Sequence, residues 1–339
     1  MKHLLSTALI ITASSLSPGC KEHSPAPGTP AAPASPVASS ANRHIAVIPK
    51  GMTHEFWKAM EAGARKAATE IGNVEIDYKS SAKEDDTQTQ ISLVQNFVST
   101  RVDAIVLAPL SDQALVAPVR LAGQAKIPVV ITDSPLAAQV GKDFIAYVGT
   151  DNYKAGVLAG KRMGELMHNQ GTVMVLRYAE SSASTRQRED GFLNTMTKES
   201  PGVAIIDPPQ YAGSDVTGAK RAAENMITAH MDKFQGVFCP NETTTAGMLI
   251  ALEARQLAGK TQFVGFDSQP RLIAGLKDRK LMGIVLQDPY KMGYIGVKSA
   301  IDYLEGKTVT QNVDTGATLA TPDNLETPEI QRLLYPLAQ

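Results

Sequence analysis

Beyond residue 43, short apolar runs alternate along the chain with longer segments whose apolar positions recur at helical spacing. Such alternation is typical of βαβ units on a parallel sheet that helices cover on both faces. The predicted strands are 44–48, 74–78, 104–107, 128–131, 144–148, 172–176, 203–206, 236–239, 262–266 and 282–286. The predicted helices are 54–71, 85–99, 112–125, 151–168, 186–199, 215–230, 242–257, 270–278 and 290–305.

The pattern divides into two successive series, which separate near Asp151. With 339 residues, 43% of them hydrophobic, the chain is long enough for two cores of ordinary domain size. Two series of alternating units favour two similar lobes over one very large sheet, although the sequence shows no close internal repeat. We therefore predict an α/β fold of two doubly wound parallel-sheet lobes.

Residues 1–20 have the composition of a secretory signal, with a short basic start and an apolar run over residues 4–16 that is too short to span a bilayer. The segment resembles a bacterial lipoprotein signal, which implies that Cys20 becomes the lipidated first residue of the mature chain. Ser17 stands where that pattern prefers Leu. The alternative is therefore a plain secreted protein, cleaved nearby, with Cys20 as a free thiol.

Residues 21–43 are dominated by Pro, Ala and Ser and lack the apolar residues needed to offset ordering entropy. We predict a semi-extended tether that holds a globular head away from the membrane, the alternative being a disordered tail without a role. A formal net charge of −1 gives no support to a nucleic-acid or acidic-membrane partner. Cys20 and Cys239 lie in different contexts, so a disulfide framework is not expected.

Polar and aromatic side chains recur where the predicted strands end, which is where open parallel sheets bind ligands. A sugar needs planar hydrogen-bonding groups around its edge and flat apolar surfaces against its faces. In place of ligand contact, Asn241 and Asp267 could cap helices, and Phe56 and Trp57 could pack into the core. The candidate ligand-binding residues are Lys50, His54, Phe56, Trp57, Asp133, Ser134, Arg186, Arg188, Asn241, Asp267 and Gln287.

An enzyme finds little support in these patterns. The first strand is followed by Pro-Lys-Gly-Met-Thr rather than a dinucleotide-binding glycine fingerprint, and no phosphate-binding loop pattern occurs. The histidines lack metal-ligand spacing, and His54 and Glu55 diverge at a helix start. Cys239 is expected to be a buried small hydrophobe. We therefore predict no catalytic residues, no cofactor and no metal site.

Six motifs in order over residues 44–314 carry a resemblance to the ribose- and galactose-type periplasmic binding protein family of ABC importers. They read VIPK with HEFW, PVVITD, RQREDGF, GVFCPNE, VGFD and IVLQDP. The resemblance implies that Phe56 and Trp57 pack on a sugar, and that Asp133, Arg188, Asn241, Asp267 and Gln287 bind its hydroxyls. Ser134 stands where the ribose binder has an Arg.

Further departures from the ribose binder bear on specificity. Ser214 replaces an aromatic residue, and Lys50 and His54 are larger or more basic than the pattern expects. The ligand is therefore not expected to be ribose in the same pose. The alternatives are a hexose, a polyol, or a sugar whose acidic group pairs with Lys50 or Arg186.

The resemblance also implies the type I periplasmic binding protein architecture, in which three strands form a hinge and the lobes close on the ligand. A first lobe of 44–149 plus 288–313 and a second of 150–287 plus 316–339 are expected, crossing near residues 149–150, 287–288 and 314–316. The closed form of a monomer would dock on a membrane permease at the periplasmic or cell surface. A sensory protein that reports to a receptor kinase is the alternative. A lac-repressor-type regulator shares the core fold, but the export signal and the lack of a helix-turn-helix segment argue against it.

Overall fold

The structure, a computed structural model, describes residues 42–338. The predicted signal, the lipidation at Cys20 and the tether up to residue 41 lie outside the described residues. The prediction that the tether extends to residue 43 was wrong by one position, because the first strand begins at Arg43, whose backbone N–H donates to Asn73 O at 2.8 Å. Within the described part of the chain, no helix combines the length and apolarity needed to cross a bilayer.

Two six-stranded sheets organise the chain, as the alternating pattern predicts. The first sheet has the order β11-β5-β4-β3-β1-β2 and the second β12-β10-β9-β8-β6-β7, so the two have corresponding strand orders. The first sheet contains β1 (Arg43–Ile48), β2 (Val74–Tyr78), β3 (Ala104–Leu107), β4 (Val129–Thr132), β5 (Ala146–Gly149) and β11 (Asn312–Asp314). The second contains β6 (Thr172–Val175), β7 (Ala204–Ile206), β8 (Gly236–Phe238), β9 (Gln262–Phe266), β10 (Gly283–Gln287) and β12 (Ala317–Ala320).

Helices cover both faces of each sheet, and the central strands are almost entirely buried, whereas the edge strands β2, β7, β11 and β12 are partly exposed. The predicted α/β class with two doubly wound lobes is confirmed. One edge strand departs from the all-parallel expectation, because β12 runs antiparallel to β10 whereas β11 runs parallel to β5. The helices are α1 (Glu55–Ile71), α2 (Thr87–Ser99), α3 (Val116–Gln124), α4 (Asn152–Met167), α5 (Ala183–Glu199), α6 (Val216–Ala229), α7 (Glu242–Ala254), α8 (Pro270–Lys277), α9 (Pro289–Leu304) and α10 (Pro328–Leu334).

The chain passes between the sheets three times, after β5, after β10 and between β11 and β12. Hydrogen bonds join two of these crossings: Thr315 N donates to Gly149 O at 2.9 Å, and Asp151 N donates to Asp314 Oδ1 at 3.1 Å. The C-terminal end does not stay with the second sheet alone, because the 3₁₀ turn Pro336–Ala338 lies against α1 and α9 of the first lobe.

Glycines bring the helix pair beside each sheet into backbone contact. A Cβ at Gly63 of α1 would lie 1.9 Å from Tyr290 O of α9, and a Cβ at Gly156 of α4 would lie 2.1 Å from Arg188 O of α5. Neither distance is possible between real atoms, so both positions require glycine for close helix packing. The contact between Gly156 and Arg188 O fixes the position of α5 against α4, and with it the position of Arg188.

Two helix starts differ from the sequence prediction by three residues or more. Residues 111–115 form a turn in which Ala114 N donates to Ser111 Oγ at 3.1 Å, so α3 begins at Val116 rather than at residue 112. The helix α5 begins at Ala183, three residues before the predicted start at residue 186. This earlier start places a serine- and threonine-rich turn beside the cleft, which the sequence prediction had left in a loop.

Candidate functional site

A cavity of about 370 Å³, counting the part that opens to solvent, lies between the carboxyl ends of the two sheets. Among the predicted residues it is lined by Lys50, His54, Phe56, Trp57, Asp133, Arg188, Asn241, Asp267 and Gln287. The prediction omitted Glu84, Tyr178, Ser182, Ser184, Thr185 and Glu242, which also line it.

Arg188 is held rigidly at the base of the cavity. Its guanidinium donates to Asn152 Oδ1 at 2.8 Å, to Pro240 O at 3.0 Å and to Gln287 Oε1 at 2.7 Å. The same group lies over the ring of Phe266, 4.8 Å from the ring centroid. A buried guanidinium with this many fixed partners offers its remaining N–H groups in one orientation.

Asp267 belongs to the same network. Its Oδ1 accepts from Gln287 Nε2 at 2.7 Å, its Oδ2 accepts from Glu242 N at 3.1 Å, and the Arg188 guanidinium is 4.0 Å away. Burial raises the pKa of Asp267, and the charge of Arg188 opposes that effect. Asp267 is not the N-cap of α8, where Gln269 stands, but its bond from Glu242 N satisfies the first backbone N–H of α7.

Lys50 and Asp133 form a buried ion pair on the first-lobe side. Lys50 Nζ lies 2.9 Å from Asp133 Oδ2, with the two side chains 6% and 5% exposed. The same ammonium donates to Ser184 Oγ of the second lobe at 3.2 Å. The charge of Lys50 is therefore neutralised within the protein, and the ammonium also connects the two lobes.

Glu84 forms the centre of a second charged cluster. It accepts from Trp57 Nε1 at 2.5 Å, lies 3.0 Å from His54 Nδ1, and accepts from the Tyr178 hydroxyl of the second lobe at 3.1 Å. Burial alone would raise the pKa of Glu84, but the bonds from His54 and Trp57 lower it below its usual value. Glu84 lies six residues beyond the end of the predicted strand 74–78, so the pattern of polar residues directly after strands did not select it.

His54 carries a positive charge at neutral pH because of this cluster. Burial tends to lower the pKa of His54, but the bond to Glu84 and the charges of Glu84, Glu242 and Asp267 outweigh it and raise the pKa to about 9. His54 is thus a donor group paired with an adjacent carboxylate. Among the described residues there is no cluster of His, Cys, Asp or Glu suited to a metal ion.

Phe56 and Trp57 fill both roles that the sequence left open. Each is almost fully buried in the core of the first lobe, and each also lines the cavity. Their ring centroids are 4.8 Å apart and their planes meet at 79°. A flat ligand can therefore stack parallel to one of the two rings and must meet the other by its edge.

Asn241 and its neighbour Glu242 stand at the start of α7. The cap that the sequence allowed for Asn241 is present, because Asn241 Oδ1 accepts from Thr244 N at 3.1 Å. Asn241 also lines the cavity, so capping and ligand contact do not exclude each other. Burial raises the pKa of Glu242 to about 7, against the opposing charge of His54.

Two predicted residues, Ser134 and Arg186, lie outside the cavity lining and join the lobes beside it. Ser134 Oγ accepts from Ser184 N at 3.2 Å, and Arg186 forms an ion pair of 2.7 Å with Asp112. Ser214, at the position where the resemblance expects an aromatic residue, donates to Asp85 of the first lobe at 2.8 Å. The two lobes therefore meet directly across the cleft. Cys239 is fully buried, as predicted.

The periplasmic binding protein domain model matches residues 45–308. The chain is 27% identical to the D-ribose/D-allose-binding protein of Pseudomonas aeruginosa, over 96% of this chain and 98% of that protein. It is 30% identical to the ribose import binding protein of Bacillus subtilis, over 81% of this chain and 84% of that protein.

Solved structures of solute-binding proteins from ABC and carbohydrate transporters are also similar to this chain. An ABC transporter solute-binding protein from Agrobacterium vitis with bound D-fucose superposes with a TM-score of 0.83 and 34% identity, covering 86% of this chain and 100% of that one. A carbohydrate transporter solute-binding protein from Agrobacterium radiobacter in complex with D-arabinose superposes with a TM-score of 0.82 and 32% identity, covering 87% and 99%.

Proposed function

The chain belongs to the periplasmic binding protein family, and on that premise we propose that it captures a neutral monosaccharide or polyol in the cavity between its lobes. It is a sugar-capturing substrate-binding component of ABC transport, and its family binds ligands rather than transforming them. The similar structures hold D-fucose and D-arabinose, both neutral monosaccharides. The particular sugar, the residues that contact it and the movement of the lobes are parts of the proposal.

One observation supports a neutral ligand above all: each cation that lines the cavity already has a carboxylate beside it. Lys50 lies 2.9 Å from Asp133, His54 lies 3.0 Å from Glu84, and Arg188 lies 4.0 Å from Asp267. A sugar carboxylate would have to compete with these pairs in a buried site, which is unfavourable. Arg186, the other cation considered for an acidic sugar, lies outside the cavity lining.

The polar rim suits sugar hydroxyls. Carboxylates accept, the Arg188 fork donates, and the amides of Asn241 and Gln287 do both. Phe56 or Trp57 supplies an apolar surface for a C–H face. The small cavity volume favours a monosaccharide over an oligosaccharide.

Hinge closure is the proposed mechanism of capture. Contacts such as Tyr178 to Glu84 and Arg186 to Asp112 join the lobes directly and require them to be closed. A ligand that touches both lobes would bind the closed form more tightly and shift the population toward it. The closed form would then be delivered to the permease of an ABC importer.

Isothermal titration of residues 42–339 against neutral pentoses, hexoses, polyols and sugar acids tests the ligand class. We expect micromolar or tighter binding of at least one neutral sugar, with small-angle X-ray scattering showing compaction on binding. Binding of amino acids or peptides alone would refute the proposal. Ligand uptake that persists in a deletion strain, with loss of a sugar-induced transcriptional response, would favour the sensory alternative.

The proposed site of action is the outer face of a membrane, through a lipid on Cys20. The support is the signal-like composition of residues 1–20 and the Pro-, Ala- and Ser-rich segment that follows it. Mass spectrometry of the protein expressed from its full sequence should show a diacylglycerol on Cys20. In a detergent extraction, Cys20→Ala should partition into the aqueous phase. The same partition by the unaltered chain would refute lipidation.

A further inference from the structure

Among the described residues, Glu242 is a carboxyl group of the cavity with one buried oxygen that has neither a hydrogen-bond donor nor a cation beside it. The residue is the first of α7 and is only 6% exposed. The backbone N–H of Phe56, at the start of α1 in the opposite lobe, favours the ionised form of the Glu242 carboxyl group and so lowers its pKa, while Oε2 is buried without a hydrogen-bond donor. An unpaired buried carboxylate oxygen is costly, so a donor from the cavity is expected.

The neighbouring carboxyl groups each have a donor or a cation beside them, although Asp133 Oδ2 has only the charge of Lys50 and no hydrogen bond. Glu84 accepts from Trp57 and Tyr178, and Asp133 Oδ2 lies 2.9 Å from the Lys50 ammonium. The third, Asp267, accepts from the Gln287 side chain and from a backbone N–H. Glu242 Oε2 is thus a buried acceptor, on a residue that lines the cavity, with neither a donor nor a cation beside it among the described residues.

The charges that line the cavity add a selective effect. Four carboxyl groups, those of Glu84, Asp133, Glu242 and Asp267, face three cations, each of which already has a partner. A ligand carboxylate placed beside Glu242 would add a further negative charge in a buried space. A ligand hydroxyl placed there would instead satisfy Oε2 with a charge-assisted bond.

We propose that Glu242 is a specificity-determining residue, whose Oε2 accepts a hydrogen bond from a sugar hydroxyl and whose charge excludes sugars that carry a carboxylate. This inference rests on the proposed capture of a neutral sugar and adds the residue that enforces neutrality. Glu242 lies next to Asn241, so it belongs to the second-lobe wall of the cavity rather than to the hinge.

The test measures, by competition titration at about pH 8, above the raised pKa of Glu242, the affinity for a neutral sugar and for the uronic acid that differs from it only at the terminal carbon. The sugar is the one that the unaltered protein binds most tightly. We expect Glu242→Gln to weaken neutral-sugar binding by about tenfold and to lower the preference over the uronic acid by at least about fivefold. Glu242→Asp keeps the charge and should keep the preference while losing affinity.

Glu189→Gln is the matched control, because Glu189 is also a buried glutamate of the second lobe whose pKa burial raises to about 7. It pairs with Arg177 and lies outside the cavity lining, so its replacement should leave the preference within about twofold of the starting value. Thermal unfolding without ligand establishes that each variant is folded.

An unchanged preference in a folded Glu242→Gln variant overturns the proposal, whatever happens to the affinity. So does an unaltered protein that binds the uronic acid as tightly as the neutral sugar. A protein that binds no neutral sugar at all would instead refute the proposed function itself. The two failures are therefore distinguishable in the same titrations.

Discussion

Asp133 and Asp267 occupy equivalent positions in the two lobes and face one cavity from opposite sides. Each follows a central strand directly, β4 or β9, and each has a left-handed backbone, with φ of 60° and 65°. Their backbone N–H groups donate to Val148 O and Val285 O, the corresponding residues of the next strands. The same local geometry, used once in each lobe, thus presents a carboxylate at the cleft, where the left-handed turn favours Asp or Asn over most residues.

Replacing either aspartate by Asn should weaken ligand binding without disturbing the turn, because Asn tolerates the left-handed conformation. We expect about tenfold to hundredfold weaker sugar binding for Asp267→Asn, measured by titration calorimetry. Asp323→Asn removes an exposed carboxylate and should change nothing. Equal affinities for Asp267→Asn and Asp323→Asn would contradict a ligand role for Asp267.

Arg188 should not tolerate Lys. A single ammonium cannot reproduce the bonds to Asn152, Pro240 and Gln287 together, and it would leave buried acceptors without donors. We expect sugar binding to fall by at least about a hundredfold and the free energy of unfolding to fall by roughly 2 kcal/mol. The nearby Arg186→Lys is the control, with less than about a tenfold loss, because Arg186 lies outside the cavity lining. A larger loss for Arg186→Lys would reverse this assignment.

A methyl group at Gly156 should separate α4 from α5 and shift Arg188. The clash of 2.1 Å is with the backbone oxygen of Arg188, which cannot move without moving its helix. We expect Gly156→Ala to lower the free energy of unfolding by about 1–3 kcal/mol in urea titrations and to weaken sugar binding. Gly123→Ala on α3, where the nearest such atom is 4.0 Å away, should be neutral or stabilising. Unchanged stability in Gly156→Ala would show that the helix pair is not closely constrained.

Stability should fall as pH rises from about 5 to 9. Burial raises the pKa of Glu242 from 4.5 to about 7, and the carboxylates around His54 raise its pKa from 6.5 to about 9 despite its burial. A raised pKa means that the folded state holds the proton more tightly, so this stabilisation is complete below the ordinary pKa and disappears above the raised one.

The two residues should therefore affect different pH ranges, which scanning calorimetry at a series of pH values can separate. Glu242→Gln should reduce the loss of stability between about pH 4.5 and 7. His54→Gln should reduce the loss of stability between about pH 6.5 and 9. Because Glu189 also has a raised pKa of about 7, some slope should remain below pH 7 in Glu242→Gln. Stability that rises over this range in the unaltered protein would contradict the arrangement of charges described for the cavity.

The local pattern of the sequence was sufficient to predict the lobes and most of their elements. Buried parallel strands are continuous apolar runs, and helices on a sheet repeat their apolar positions, so both follow from neighbouring residues. Polar residues directly after such strands, Asp133 and Asp267 among them, lie at the sheet edge for the same reason. The strands β11 and β12 and the short helix α10 were not predicted, since β11 and β12 are partly exposed edge strands without a continuous apolar run and α10 has only seven residues.

Tertiary structure alone decided which side chains meet. Glu84 approaches His54 and Trp57 from a loop, and Tyr178 reaches it from the other lobe, across 94 residues of chain. The pairing of Lys50 with Asp133 cancels a charge that the sequence had offered to an acidic ligand. The charge available to a ligand depends on distances between residues far apart in sequence, and periodicity carries no information about those distances. The sequence by itself therefore determined where a binding cleft would form, whereas the folded chain determined that its cations are paired and that the carboxylate of Glu242 remains open.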